Sequence, residues 1–203
     1  RSNGLYYGIN FGITLDHILR LRARLPQDAA LARYILSRDV RELKIIGQLI
    51  YPVEALSYEE ASTLGRTTFA NPELRDYLAK HLFDRHPEAP FWALDCIRTP
   101  RAQRWEDLLP LGFTILARQF TRGFAISSEA QRRLLLRETL ELLSDEELPY
   151  PTPLQRAALL MLKRWGRSDE ALRTELLASE ALTRWAESSS AVQREFADDL
   201  RFE

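Results

Sequence analysis

Apolar residues recur along this chain at intervals of three and four, which is the spacing of one face of an α-helix. Only the short stretch from Leu5 to Ile13 could form a strand, because no two-residue hairpin turn separates alternating segments elsewhere. The pattern predicts an all-α protein of about ten helices, each of roughly 10–18 residues. Three helical stripes are clear, comprising Leu15, Ile18, Leu19 and Leu25; Leu43, Ile46, Leu49 and Ile50; and Leu74, Tyr77, Leu78 and Leu82.

Helix-start signals occur at close intervals between these stripes. In a capping box, the N-cap side chain and the side chain three residues later each accept a hydrogen bond from the other's backbone N–H. Asp39, Ser57, Ser128 and Ser190 each begin a segment with that spacing. Asn71, Thr99 and Thr152 each precede a proline, which fits the first helical position.

Short helices joined by tight turns favour stacked helix pairs, which are the units of helical repeat proteins. Comparable units begin near Asp39, Asn71, Thr99 and Thr152, and HEAT-like units typically run about 40 residues. We therefore expect a HEAT-like α-α superhelix that forms a single domain over residues 1–203.

The composition fits a globular protein, with 45% hydrophobic and 28% charged residues in a chain of 203 residues. Cys96 is the only cysteine, which excludes an internal disulfide and fits a reducing, intracellular setting. No apolar run approaches the roughly 20 residues that a membrane span needs. These features predict a cytoplasmic protein with no membrane partner.

The net charge is −1, whereas a protein that binds DNA mainly through phosphates usually carries more positive charge. Net charge can nevertheless hide a basic patch. Lys44, Lys80 and Lys163 are the only lysines among 28 basic residues, so arginine dominates. Arginine suits bidentate contacts to phosphate, although a genome-wide coding bias is the more ordinary explanation of the excess.

Several polar clusters have structural explanations beside functional ones. Glu73, Asp76 and Lys80 share one helix face by their spacing, so a solvated surface accounts for Asp76 without catalysis. The spacing of His81, Asp84 and His86 matches no established metal-binding pattern. There is no phosphate-binding glycine loop and no zinc-finger spacing. We expect neither a metal nor a cofactor.

The four tryptophans offer stacking surfaces for nucleic acid or anchors for the core. Trp105 and Trp165 each follow an arginine, which is typical of nucleic-acid contacts. Tryptophans at helical spacing more often lie in the core, and we expect at least three of the four, which include Trp92 and Trp185, to do so. Cys96 is expected to be a packed core thiol.

Four stretches resemble the AlkD-like alkylpurine DNA glycosylase family, namely residues 10–13, 39–44, 71–76 and 153–164. The third stretch, Asn71-Pro72-Glu73-Leu74-Arg75-Asp76, is similar to the family signature Asn-Trp-Asp-x-x-Asp. With gaps, the likeness covers most of residues 8–178. It implies HEAT-like helix pairs with a positively charged concave face that grips double-stranded DNA. It also implies removal of cationic alkylated purines by an aspartate assisted by aromatic rings.

This chain keeps only some of the functional residues of the family. Asp76 matches the catalytic aspartate, but Pro72 stands where a tryptophan would flank the lesion. Leu160 stands at the position of a second tryptophan, and Lys163 replaces an arginine that contacts DNA. Another phosphate-contacting arginine aligns near Leu108. Arg104 lies one turn away from that position.

The resemblance predicts an AlkD-like DNA alkylation repair protein, with Lys163, Arg156 and Arg104 as phosphate contacts. Excision of alkylated purines stays open, with Asp76 as the residue that would stabilise the developing positive charge. The alternative is a catalytically inactive HEAT-like scaffold that binds a protein partner. The acidic net charge and the missing aromatic residues favour that alternative.

Overall fold

The computed structural model describes residues 7–68, 71–99, 108–144 and 151–201, which form helices and contain no strand. The predicted all-α class is confirmed. The chain divides into two compact units, Arg1–Ala89 and Pro90–Glu203. The described residues form twelve α-helices: α1 (Leu15–Arg22), α2 (Ala29–Leu36), α3 (Arg41–Ile50), α4 (Tyr58–Thr67), α5 (Pro72–His81), α6 (Ala89–Arg98), α7 (Leu109–Thr121), α8 (Glu129–Leu143), α9 (Pro153–Ser168), α10 (Glu170–Leu177), α11 (Glu180–Glu187) and α12 (Ala191–Arg201).

The first unit is built around α3, which packs against α1, α2 and α5. Ile45 and Ile50 of α3 are completely buried. The close approach of α2 to α3 depends on Gly47, because a Cβ atom there would lie 2.6 Å from Leu36 Cγ. The short helix α1 buries only Ile18, and Leu19, which the apolar stripe includes, is 38% exposed.

The second unit is built around α7, which packs most extensively against α9. Every side chain from Leu109 to Ala117 is buried. The rings of Phe120 on α7 and Trp165 on α9 stack with centroids 5.0 Å apart and planes 6° from parallel. This stacking fixes one face of α9 against the core, and the opposite face lies toward solvent.

At least three of the four tryptophans were predicted to lie in the core, and Trp165 and Trp185 are fully buried there. The Trp185 indole N–H donates to Ser144 Oγ at 3.0 Å, which satisfies its polar atom inside the core. Trp92 is only partly buried, and Trp105 lies outside the described residues. Cys96, which was predicted to be a packed core thiol, is only partly buried.

Local signals located most helix starts correctly. Ser57 and Thr152 form capping boxes, and the Asn71 side chain accepts from the N–H of Leu74 ahead of α5. The capping box predicted at Asp39 is wrong. Val40 occupies the N-cap position of α3 without a side-chain cap, because the carboxylate of Glu42 binds backbone N–H groups of a distant segment instead.

The stretch that could have formed a strand makes one isolated parallel bridge, between Ile9 and Val40. Ile9 N–H donates to Asp39 O, and Arg41 N–H donates to Ile9 O, both at 3.0 Å. In the part of the chain that the structure describes, no helix has both the length and the hydrophobicity that crossing a membrane demands.

Candidate nucleic-acid interface

The helix that carries Asp76 begins as its sequence predicts. Asn71 caps α5 by accepting from the N–H of Leu74 at 3.1 Å, and Pro72 occupies the first turn. Leu74 and Leu78 bury one face of α5 in the first unit. Asp76 is exposed on the other side of the helix. The candidate catalytic carboxylate therefore faces solvent rather than the core of its unit.

Arg75 is the residue beside Asp76 that sequence reasoning missed. Its side chain is only 5% exposed, which is rare for a group that stays protonated at all ordinary pH values. Burial lowers the pKa of the Arg75 guanidinium, and the nearby charge of Asp76 acts in the opposite direction. A buried cation, Arg75, therefore lies next to an exposed carboxylate, Asp76. No sequence signal distinguished Arg75 from the surface arginines.

Glu73, the other acidic residue of the same motif, is held by an ion pair inside the first unit. Arg41 Nη2 lies 2.5 Å from Glu73 Oε1, and Arg41 Nε donates to Glu73 Oε2 at 2.9 Å. The Tyr7 hydroxyl donates to Glu73 Oε2 at 2.5 Å. Hydrogen bonding from Arg41 is the main reason that the pKa of Glu73 lies below its ordinary value. Burial and the Glu73 carboxylate raise the pKa of Tyr7.

A second carboxylate binds the segment that precedes α1. Glu42, which is only 3% exposed, accepts from the N–H groups of Phe11 and Ile13, both at 3.2 Å. Burial pushes the pKa of Glu42 upward, but the backbone hydrogen bonds of Glu42, Phe11 and Ile13 and the charge of Arg41 together outweigh it, so the pKa is lowered. We call Tyr7, Arg41, Glu42 and Glu73 the Arg41 cluster. It joins three of the four stretches that carry the family resemblance.

The fourth stretch lies in the second unit and presents cations to solvent. Helix α9 has the sequence PLQRAALLMLKRWGRS, which contains four basic residues and no acidic one. At about 100° per residue, Arg156, Lys163, Arg164 and Arg167 fall within an arc of about 100° on one side of the helix. Arg156 and Arg167 are exposed, and Lys163 and Arg164 are partly exposed. We call these four residues the α9 stripe.

The centre of the α9 stripe is occupied by Leu160, whose side chain is 40% exposed. This leucine stands where the family resemblance leads one to expect an aromatic ring. Lys163 pairs with Asp199 of α12, with Nζ 3.3 Å from Oδ2. The stripe is therefore a basic surface that has the exposed Leu160 side chain within it and the Asp199 carboxylate at its edge.

Among the predicted site residues, Arg156 and Lys163 lie together on α9, and Asp76 belongs to the first unit. Arg104 lies outside the described residues. Leu108, the position that aligns near a phosphate-contacting arginine, is only 7% exposed and belongs to the core of the second unit. Among the described residues, no three or more potential metal ligands come together.

Comparison of the chain with protein-family models, with curated proteins and with solved structures gave no match.

Proposed function

We propose that this protein is an AlkD-like DNA alkylation repair protein with HEAT-like repeats, which binds double-stranded DNA through phosphate contacts from the α9 stripe. The observation that carries the proposal is the set of four cations on one side of a helix without any acidic residue. It falls in one of the stretches that resemble the family. Arg156 and Lys163, two of the three residues that we predict to contact phosphate, both belong to it.

The dimensions of the α9 stripe suit a phosphate backbone. Arg167 follows Arg156 by eleven positions, which corresponds to a rise of roughly 16 Å along the helix. Phosphates of one strand advance about 3.4 Å per nucleotide along the duplex axis, so the stripe is about as long as five nucleotides. Arginine side chains can bind phosphate oxygens in a bidentate manner, which favours a fixed orientation of the helix on the backbone.

Excision of alkylated purines is the second part of the proposal, and it assigns the chemistry to Asp76. An exposed carboxylate on α5 is accessible to a nucleotide, and a negative charge near the sugar would stabilise the positive charge that develops as the glycosidic bond breaks. Pro72 offers no π face to a cationic base, unlike the tryptophan of the family signature. We therefore expect excision to be slow relative to that of family members that keep the aromatic residues.

The proposal is tested by measuring binding to a 20-base-pair duplex, with and without one N7-methylguanine, at 50 mM salt, together with release of the free base. Binding to both duplexes is the expected result, since phosphate contacts do not read the base. Base release that is lost in Asp76→Asn, with binding retained, would assign the chemistry to Asp76. Absence of binding at this salt concentration would refute the DNA-binding function.

A second candidate function is a scaffold for a protein partner, and one feature of the first unit favours it. Phe11 is 68% exposed, and its neighbours Ile9 and Ile13 are 49% and 40% exposed. Apolar side chains concentrated in one short segment are typical of protein-binding surfaces. Binding of DNA that is unaffected by Phe11→Ser would separate this surface from the α9 stripe.

A further inference from the structure

The ion pair between Lys163 and Asp199 stands at the edge of the α9 stripe. Lys163 Nζ lies 3.3 Å from Asp199 Oδ2, and the two side chains are 22% and 46% exposed. A lysine ammonium binds carboxylate and phosphate oxygens through the same donors. The Asp199 carboxylate therefore accepts from a donor that a phosphate oxygen could also bind.

Helix α12 holds Asp199 in a fixed place. Phe196 and Leu200 bury one face of α12, and the Phe196 ring packs edge-on against Trp185 of α11. The side-chain amide of Gln193 donates to the backbone oxygen of Ser144 at 3.1 Å. Because α12 is anchored at several points, Asp199 stays beside Lys163 unless its own side chain rotates away.

We propose that Asp199 occupies a phosphate site on the α9 stripe, and that DNA binding replaces this carboxylate at Lys163 with a backbone phosphate. This inference rests on the proposed function. Exchange of the partner is feasible because ion pairs that are partly open to solvent are weak. Asp199 then lowers the affinity for DNA in two ways, since it occupies the ammonium group and repels the incoming phosphate.

The neighbouring carboxylate provides a matched control. Asp198 is exposed, and it is separated from Asp199 by about 100° around α12. Asp198→Asn and Asp199→Asn change the net charge equally. Any difference between their affinities for duplex DNA therefore depends on where the carboxylate lies. We expect Asp199→Asn to tighten duplex binding about fivefold at 50 mM salt, and Asp198→Asn to tighten it less than about twofold.

The experiment is a double-mutant cycle that measures duplex dissociation constants for the wild-type protein, Asp199→Asn, Lys163→Gln and the double variant, with Asp198→Asn as control. The gain from Asp199→Asn is expected to fall below about twofold in the Lys163→Gln background, because the carboxylate acts through that lysine. Circular dichroism checks that each variant is folded.

The outcomes separate this inference from the function on which it rests. A larger gain for Asp199→Asn than for Asp198→Asn, which disappears in the Lys163→Gln background, supports the exchange. If the wild-type protein binds the duplex and the two asparagine variants behave alike, the exchange is refuted and DNA binding stands. If neither the wild-type protein nor Asp199→Asn binds the duplex, both proposals fail.

Discussion

The charged residues of the Arg41 cluster are paired inside the first unit, whereas those of the α9 stripe lie at the surface of the second unit. In the cluster, the Arg41 guanidinium is only 15% exposed and meets the carboxylate of Glu73 at 2.5 Å. In the stripe, Arg156 and Arg167 are exposed on a helix without acidic residues. The ion pairs of the cluster stabilise the fold, whereas the exposure of the stripe fits the phosphate contacts that we propose for it.

Helix α8 shows that exposed arginines alone do not make such a surface. Arg133 Nε lies 2.9 Å from Glu129 Oε1, and Arg137 Nη2 lies 3.2 Å from Glu138 Oε1. The acidic residues of α8 neutralise its basic residues locally. A net charge of −1 therefore says little about DNA binding, because the carboxylates are distributed unevenly among the helices.

The largest expected effect comes from removing the ion pair of the Arg41 cluster. Glu73→Gln should lower the free energy of unfolding by about 2 kcal/mol, because a charged bidentate interaction and its link to Tyr7 are lost. Urea denaturation followed by circular dichroism measures this change. The fraction that remains folded should bind duplex DNA with unchanged affinity.

Asp76→Asn is the matched control for that substitution, since it alters an exposed carboxylate of the same helix by the same charge. We expect it to change the free energy of unfolding by less than about 0.5 kcal/mol. Equal destabilisation by both variants would show that the Arg41 cluster has no special role in stability.

A carboxylate placed within the α9 stripe should make α9 resemble α8. Leu160→Glu puts an acidic residue one turn from both Arg156 and Arg164, where it can pair with either at i, i+4 spacing. We expect duplex affinity at 50 mM salt to fall about tenfold while thermal stability changes little, because Leu160 is 40% exposed. Fluorescence anisotropy with a labelled duplex measures the affinity.

Leu160→Gln has a similar shape to Leu160→Glu but lacks the charge, so it separates electrostatics from the loss of an apolar side chain. An equal loss of affinity in both variants would point to the leucine itself as the DNA contact. That result would remove the electrostatic account of the stripe.

The pH dependence of the unfolding free energy should also distinguish the Arg41 cluster from the α9 stripe. The expected change is smaller than those of the preceding substitutions. The pKa values of Glu42 and Glu73 are lowered in the folded protein, so the folded state binds fewer protons than the unfolded state near pH 4. Their contribution to stability is present above the unfolded value of about 4.3 and is lost as the pH falls through the folded values.

We expect Glu73→Gln to reduce the loss of stability between pH 7 and pH 4 by about 0.5 kcal/mol, because one of the two carboxylates no longer titrates. Arg156→Gln, on the α9 stripe, should leave the pH profile unchanged. Urea denaturation across this pH range measures both profiles, and parallel profiles for all three proteins would be inconsistent with this account of Glu73.

The smallest effect is expected when α8 is made more like α9. Glu129→Gln removes the carboxylate that lies 2.9 Å from Arg133. Duplex affinity should rise by no more than about twofold, because Arg137 keeps a carboxylate partner on the same helix. A gain larger than that obtained with Asp199→Asn would move the principal DNA surface from α9 to α8.

The sequence was sufficient to predict helix caps, which depend only on residues close together in the chain. The caps at Ser57, Asn71 and Thr152 were predicted correctly, since a cap is decided within one helical turn. Asp39 was assigned wrongly because Glu42 binds N–H groups about thirty residues earlier in the chain. Local spacing carries no information about such a partner.

The candidate site likewise has features that the sequence could indicate and features that depend on tertiary packing. The sequence named Arg156 and Lys163 as phosphate contacts, and that role stays a prediction. The structure shows that both lie on α9, where Arg156 is exposed and Lys163 is partly exposed. The burial of Arg75 and the pairing of Lys163 with Asp199 arise from tertiary packing, so no pattern in the sequence could have indicated them. The exposure of Leu160 likewise depends on which face of α9 meets α7.

The most direct test of the central claim is the salt dependence of duplex binding in paired arginine variants. Four phosphate contacts predict a slope of log K against log salt of about −3.6 for the wild-type protein. Arg156→Gln combined with Arg167→Gln should make the slope shallower by about 1.8, and Arg133→Gln combined with Arg137→Gln should leave it unchanged. Equal slopes for the two double variants would contradict the assignment of DNA binding to the α9 stripe.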